Sequence, residues 1–320
     1  MLHPQARALL DLMIERGIPP VHTQSPTEAR VAYRDRKSYT QPPPPEVGAV
    51  ADHIIDTPDG HRITLRLYRP LQSQADAELP VLMYFHGGGW TIGDLETHDT
   101  LCRQLANGAA CAVVSVDYRM GPEHRFPAAV EDCMAATQWV HANARMLHVD
   151  AQRIALGGDS AGGNLAAVVA LMIRDAGLKD LHSAIRYQLL IYPATDMRRV
   201  APSHQSNGQG YLLTTESMQY YRDHYMGPQG NDADWRASPL LHSSLTGLAP
   251  ALVLTAGYDP LRDEGLQYAQ RLSEAGVSTS YLCFERQIHG FILMGRVLEE
   301  AHTAVELCAA SLRRAFSGGG

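Results

Sequence analysis

Gly158-Asp159-Ser160-Ala161-Gly162 constrains this chain more than any other stretch, because of what flanks it. Arg153-Ile154-Ala155-Leu156 before it is a short β-rich apolar run, and the segment from Asn164 to Ile173 after it is an apolar helix former. A Gly-x-Ser-x-Gly between a strand and a helix is the setting of a nucleophile elbow. On so tight a turn, larger side chains at 158 and 162 would clash. The serine Oγ is pushed out to where a base and a substrate can reach it. The pentapeptide by itself is common, and a serine capping the following helix is the plain alternative. Chemistry here therefore requires a base, an acid and an anion-binding loop elsewhere in the chain.

Strands and helices alternate around that elbow. A hairpin is expected from Val50–Asp56, a Pro58-Asp59-Gly60 turn and the alternating Ile63, Leu65 and Leu67. Further strands are expected at Val81–Phe85, Cys111–Tyr118, Ile154–Gly157, Ile185–Tyr192, Ala251–Tyr258 and Thr279–Phe284. Helices are expected at 98–109, Pro127–Ala142, 161–175, 262–275 and 294–315. Such alternation implies a mostly parallel sheet covered on both faces. Two N-terminal helices, 4–17 and 26–38, precede the extended connector Gln41-Pro42-Pro43-Pro44-Pro45. Residues 197–240 break the rhythm, with no clear strand and an amphipathic helix around Glu216–Tyr225. An insertion of this length in a compact fold reads as a lid.

The 320 residues, 45% hydrophobic and 19% charged, suit one soluble α/β body with insertions. A net charge of −7 argues against a nucleic-acid partner. No apolar run approaches the roughly 18–20 residues of a membrane span. Cys102, Cys111, Cys133, Cys283 and Cys308 form no C-x-x-C and no zinc spacing, which suits small buried hydrophobes in a reducing compartment. The N-terminus shows no signal-peptide pattern, so a cytoplasmic protein is expected.

Ligands of an open parallel sheet bind beyond the carboxyl ends of its strands. Four candidates fall there. Ser160 is the first. The second is His86-Gly87-Gly88-Gly89-Trp90, where successive glycines let backbone N–H groups converge on a developing oxyanion. Its spacing fits neither a Walker loop nor a G-x-G-x-x-G fingerprint. The third is Asp259, in Gly257-Tyr258-Asp259-Pro260, able to orient an imidazole or to cap the next helix; Asp263 is its rival. The fourth is His289, followed by Gly290-Phe291, a base suited to proton transfer near neutrality. Glu123, His124 and Arg125 read as an ion-pair or turn element, and Trp90, Tyr211 and Tyr220 as pocket wall or ordinary packing. Asp159 is expected to point away from the site, without a chemical role.

With Tyr118-Arg119-Met120-Gly121-Pro122-Glu123-His124-Arg125-Phe126-Pro127, these motifs make the chain resemble bacterial hormone-sensitive-lipase-like esterases of the α/β-hydrolase fold, in the Gly-Asp-Ser-Ala-Gly subgroup. The resemblance spans 86–291. It implies a twisted, mostly parallel eight-stranded sheet flanked by helices, with catalytic segments 46–196 and 236–316. A helical cap from 1–45 and 197–235 and a flexible tail at 317–320 complete the expected layout. It implies Ser160 as nucleophile, His289 as base and Asp259 as the orienting acid. The N–H groups of Gly88, Gly89 and Ala161 would form the oxyanion hole.

The implied reaction hydrolyses small short- to medium-chain carboxylic esters through an acyl-serine, without metal or organic cofactor. An amidase or deacetylase with the same triad, or a non-catalytic receptor, is the alternative, and a homodimer through the sheet edge is suggested. Trp90, Tyr211, Arg286, Gln287 and Phe291 are the expected substrate contacts. Arg286-Gln287 stands where such esterases carry Gly and an apolar residue, at the expected mouth of the site.

Overall fold

A computed structural model describes residues 1–74 and 76–318. Its strands are β1 (Ala49–Asp56), β2 (Arg62–Arg69), β3 (Leu79–Phe85), β4 (Ala112–Asp117), β5 (Val149–Asp159), β6 (Ile185–Ile191), β7 (Ala251–Tyr258) and β8 (Thr279–Ile288). They form one eight-stranded sheet in the order β1-β2-β4-β3-β5-β6-β7-β8. β2 pairs antiparallel with β1 and β4, and every other pairing is parallel.

The helices are α1 (Pro4–Glu15), α2 (Pro26–Thr40), α3 (Leu95–Ala109), α4 (Ala128–Ala142), α5 (Ala144–Leu147), α6 (Ala161–Asp175), α7 (Lys179–Ala184), α8 (Pro202–Ser206), α9 (Thr215–Tyr225), α10 (Arg262–Glu274) and α11 (Glu300–Ser317). The expected alternation is therefore present, with two shifts that matter. β8 runs four residues past the expected end at Phe284, and the final helix begins at Glu300 after a 3₁₀ turn at Phe291–Leu293. Of the expected tail, Ser317 closes α11, and residues 319 and 320 lie outside the described residues.

Burial explains why the central strands are nearly continuous apolar runs. β3 to β7 are covered on both faces, as parallel strands require, and Val81, Leu82, Met83, Tyr84 and Phe85 of β3 are all fully buried. One face packs on α4 and α6, and the other on α3 and α11. α2 starts with a capping box, Ser25 and Glu28 bonding each other's backbone N–H, and with Pro26 at its first position. Its side chains clamp it to the body: Arg30 donates to Thr91 O, Gly121 O and both carboxylate oxygens of Glu123. Glu123 is thus an ion-pair residue, as expected. No helix among the described residues is long and apolar enough to cross a membrane.

A buried ion pair fixes the chain after β4. Asp132 on α4 is fully buried, and it accepts from the Arg119 side chain at 2.6 Å and from the Arg119 N–H at 2.8 Å. Removing one partner of such a pair leaves the other charge uncompensated. Asp132→Ala should therefore lower the unfolding free energy by about 3–5 kcal/mol, read from denaturant midpoints. A change below about 1 kcal/mol would show that solvent takes over the arginine without difficulty.

Candidate active site

The elbow is built by contact between the end of β3 and the start of α6. A Cβ on Gly158 would lie 2.2 Å from Phe85 O, and one on Gly162 would lie 1.7 Å from the same oxygen. No side chain fits at either place. Ser160 sits between them at φ 56° and ψ −115°, a conformation that L residues avoid and that the packed strand and helix impose. Its N–H donates to Ile191 O at 2.8 Å, and its own carbonyl accepts from Asn164 N–H at 3.1 Å.

Three strand ends bring the polar groups together. His289, after β8, has Nε2 2.9 Å from Ser160 Oγ and Nδ1 2.7 Å from Asp259 Oδ2. Carboxylates accept only, so Nδ1 carries the proton and Nε2 is left to accept the serine hydroxyl. Asp259, after β7, is completely buried, and its Oδ1 accepts Leu261 N–H at 2.8 Å. Asp259 lies two residues before Leu261, the capping position of α10, which starts at Arg262. Asp263 bonds Ser203 N–H and Arg262 instead, and its carboxylate makes no bond to His289.

Gly88 and Gly89, at φ 118° and 58°, shape the loop after β3. Among the described residues, no protein acceptor takes the N–H of Gly88, Gly89 or Ala161. Ala161 is also the first residue of α6, whose free amides and helix dipole favour negative charge. Gly88, Gly89, Ser160 and His289 border one cavity of about 690 Å³, a size usual for small-molecule sites. Its wall is largely apolar and draws on α1 and α2 (Met13, Tyr33), on residues between α8 and α9 (Tyr211, Leu213) and on α9 (Met218, Tyr221). Trp90 also lines it, its indole stacked on Tyr225 at 4.4 Å.

Three expected substrate contacts lie off this wall. Because β8 continues to Ile288, Arg286 and Gln287 are strand residues, not loop residues at a mouth. Arg286 is exposed and reaches Met1 O, while Gln287 is buried and donates to Glu300 at 2.5 Å. Phe291 is fully buried, its ring 4.9 Å from Phe284 and 6.1 Å from Tyr192. It supports the histidine from below through Tyr192, whose ring is 4.7 Å from His289. Tyr33, Met218 and Tyr221 line the cavity without standing out in the sequence. Their only signal is an aromatic or apolar position on an otherwise polar helix, which ordinary packing shares.

The alpha/beta hydrolase fold family matches residues 82–293. The ethyl acetate hydrolase of Pseudomonas putida is 37% identical over 318 residues, 98% of this chain and 99% of that one. Esterase LipI of Mycobacterium tuberculosis is 41% identical over 294 residues, 90% of this chain and 88% of its own. The solved structure of ester-hydrolase EH1AB1 from the metagenome of Lake Arreo, complexed with a derivative of bipyridine phosphonate, aligns with a TM-score of 0.94. It is 44% identical and covers 99% of this chain and 100% of that one. The chain belongs to the α/β-hydrolase family, among the bacterial hormone-sensitive-lipase-like carboxylesterases.

Adjacent glycines test the elbow's close packing. Gly162→Ala should destabilise by more than about 3 kcal/mol or fail to fold, because the obstacle is backbone. Gly163→Ala meets Pro193 Cβ at 3.0 Å and Gly158 O and Pro193 Cα at 3.2 Å, contacts that small shifts relieve, and should cost only about 1–2 kcal/mol. Equal effects of the two in thermal or denaturant melts would refute this account.

Proposed function

We propose that this protein is a serine carboxylesterase in which Ser160 is the nucleophile, His289 the general base and Asp259 the group that orients it. The hydrogen-bonded chain from Ser160 Oγ through His289 to Asp259, at 2.9 and 2.7 Å, carries the proposal. His289 Nε2 takes the serine proton as Oγ attacks the ester carbonyl. The negative charge that forms on the carbonyl oxygen is met by the N–H groups of Gly88, Gly89 and Ala161. Donors of this kind are each worth about 3–4 kcal/mol in the transition state. The imidazolium then protonates the leaving alcohol, and the neutral ring activates a water to release the acid from the acyl-serine. Buried Asp259 stabilises the imidazolium and holds its tautomer.

The substrate is a small ester of short to medium chain length. What supports this is a bounded, mostly apolar cavity walled by N-terminal and inserted helices, together with relatives named ethyl acetate hydrolase and esterase. Residues 1–45 and 197–235 act as a cap over the catalytic body. A cytoplasmic location is supported by five free thiols, four of them buried; burial pushes Cys111 and Cys308 up to about 12. Pairing of two copies along β8 is supported by Tyr281 and Leu282, exposed on that edge strand.

Matched ester and amide panels test the reaction class. p-Nitrophenyl acetate and butyrate should turn over, Ser160→Ala should lose about 1,000-fold or more in kcat, and matched anilides should be slower. Faster amide turnover would overturn the esterase assignment, and full activity of Ser160→Ala would overturn the nucleophile.

A further inference from the structure

A second buried histidine–aspartate pair lies behind the glycine loop, and the reaction above does not use it. Asp159, the last residue of β5, is 2% exposed. Its Oδ1 accepts from the Tyr84 hydroxyl at 2.7 Å and from Gly87 N–H at 3.0 Å, and stands 3.2 Å from His98 Nε2. Its Oδ2 fills the space a Cβ on Gly87 would need, 2.3 Å away. One carboxylate, adjacent in sequence to the nucleophile, therefore holds the first amide of the loop bearing Gly88 and Gly89. The loop's other side is pinned by Tyr118, whose hydroxyl donates to His86 O at 2.6 Å and whose ring stacks on His86 at 4.2 Å.

A lone carboxylate beside a developing oxyanion would oppose it, since like charges repel strongly where water is excluded. His98 is placed to supply the counter-charge. Thr97 Oγ1 lies 2.9 Å from Asp94 O, an acceptor for its single proton. With that proton on Asp94 O, His98 Nδ1, 3.0 Å from the same Oγ1, is the donor to it. Its Nε2 lies 3.2 Å from the Asp159 carboxylate, a pure acceptor, in ion-pair range though not in hydrogen-bond alignment.

The other titratable groups facing it are Tyr84, Tyr33 and His86, with ring centroids at 6.2, 6.4 and 5.4 Å. Burial pushes both tyrosines up and holds His86 down at about 4, so all three stay neutral near pH 7. Burial opposes the charge on Asp159, yet His98, Tyr84 and Gly87 N–H together keep its carboxyl below the usual range.

We propose that Asp159 and His98, with both ring nitrogens of His98 protonated, are a charge-balanced positioning pair, locking the oxyanion loop to the nucleophile elbow without leaving net charge beside the oxyanion. This rests on the glycine loop serving as the oxyanion hole.

Two measurements test it. In ¹⁵N-histidine-labelled wild-type protein at pH 7, the resonances that vanish in His98→Gln should show both ring nitrogens protonated; a neutral tautomer overturns the proposal. Ester turnover and the affinity of a trifluoromethyl ketone, which forms an oxyanion on the serine, are then compared in His98→Gln, Asp159→Asn and the double variant. His98→Gln keeps an N–H toward Asp159 but leaves the carboxylate unbalanced. It should lower kcat and ketone affinity in parallel by about 10–100-fold, with KM within about threefold. Asp159→Asn added to it should recover at least about fivefold of that kcat, whereas a purely structural role predicts additive loss. His98→Gln within twofold of wild type, or a double variant worse than both singles, sinks the proposal. Wild-type protein that neither turns over esters nor binds the ketone would instead refute the esterase reading.

Discussion

The carbonyl of Phe85, at the end of β3, is the point on which the site's construction turns. Gly158 and Gly162 both pack against it closely enough to exclude a side chain. That contact sets the separation between β3 and the β5–α6 elbow. Because the glycine loop starts one residue after Phe85, it also sets the distance from Ser160 to Gly88 and Gly89. Fully buried strands on each side leave the elbow no way to relax, so Ser160 keeps a backbone conformation it would not adopt in isolation. Catalytic geometry is here a consequence of how tightly a parallel sheet and one helix can approach.

The same logic explains the electrostatics. Asp259 is fully buried, yet one of its oxygens meets His289 and the other a backbone amide, so no lone pair needed for its charge is wasted. Asp159, two residues from Ala161, is treated likewise, by Tyr84, Gly87 and His98. Two histidine–carboxylate pairs thus flank Ser160, one on each side of the elbow. The inserted segment reaches this frame through α8: Ser203 bonds Pro260 O, Asn207 bonds Gly257 O and Asp259 O, and His204 meets the buried Glu264 at 2.6 Å. The helices that wall the cavity are therefore tied to the loop that carries the acid.

Much of this was legible in the sequence, for identifiable reasons. Buried parallel strands and their helices leave a strong pattern, and Gly-x-Ser-x-Gly, the glycine run, Asp259 and His289 each follow a strand end, where polar residues stand out. What was lost depended on long-range packing. The polar, aromatic-poor end of β8 has no strand periodicity, so Arg286 and Gln287 looked like mouth residues when they tie Met1 and Glu300 to the sheet. Asp159 seemed idle because its partners, Tyr84, Gly87 and His98, are 75, 72 and 61 residues away in sequence. Tyr33 and Tyr221 meet at the cavity only because α2 and α9 are folded over it.

Ser160 Oγ is the atom that the geometry places for acylation. Incubating folded wild-type protein with a fluorophosphonate and mapping the adduct by peptide mass spectrometry tests this most directly. The geometry predicts one equivalent of label, on Ser160, slowed about 100-fold or more in His289→Ala, which lacks the base. An unlabelled protein, or a label on any other residue with Ser160 unmodified, would contradict it.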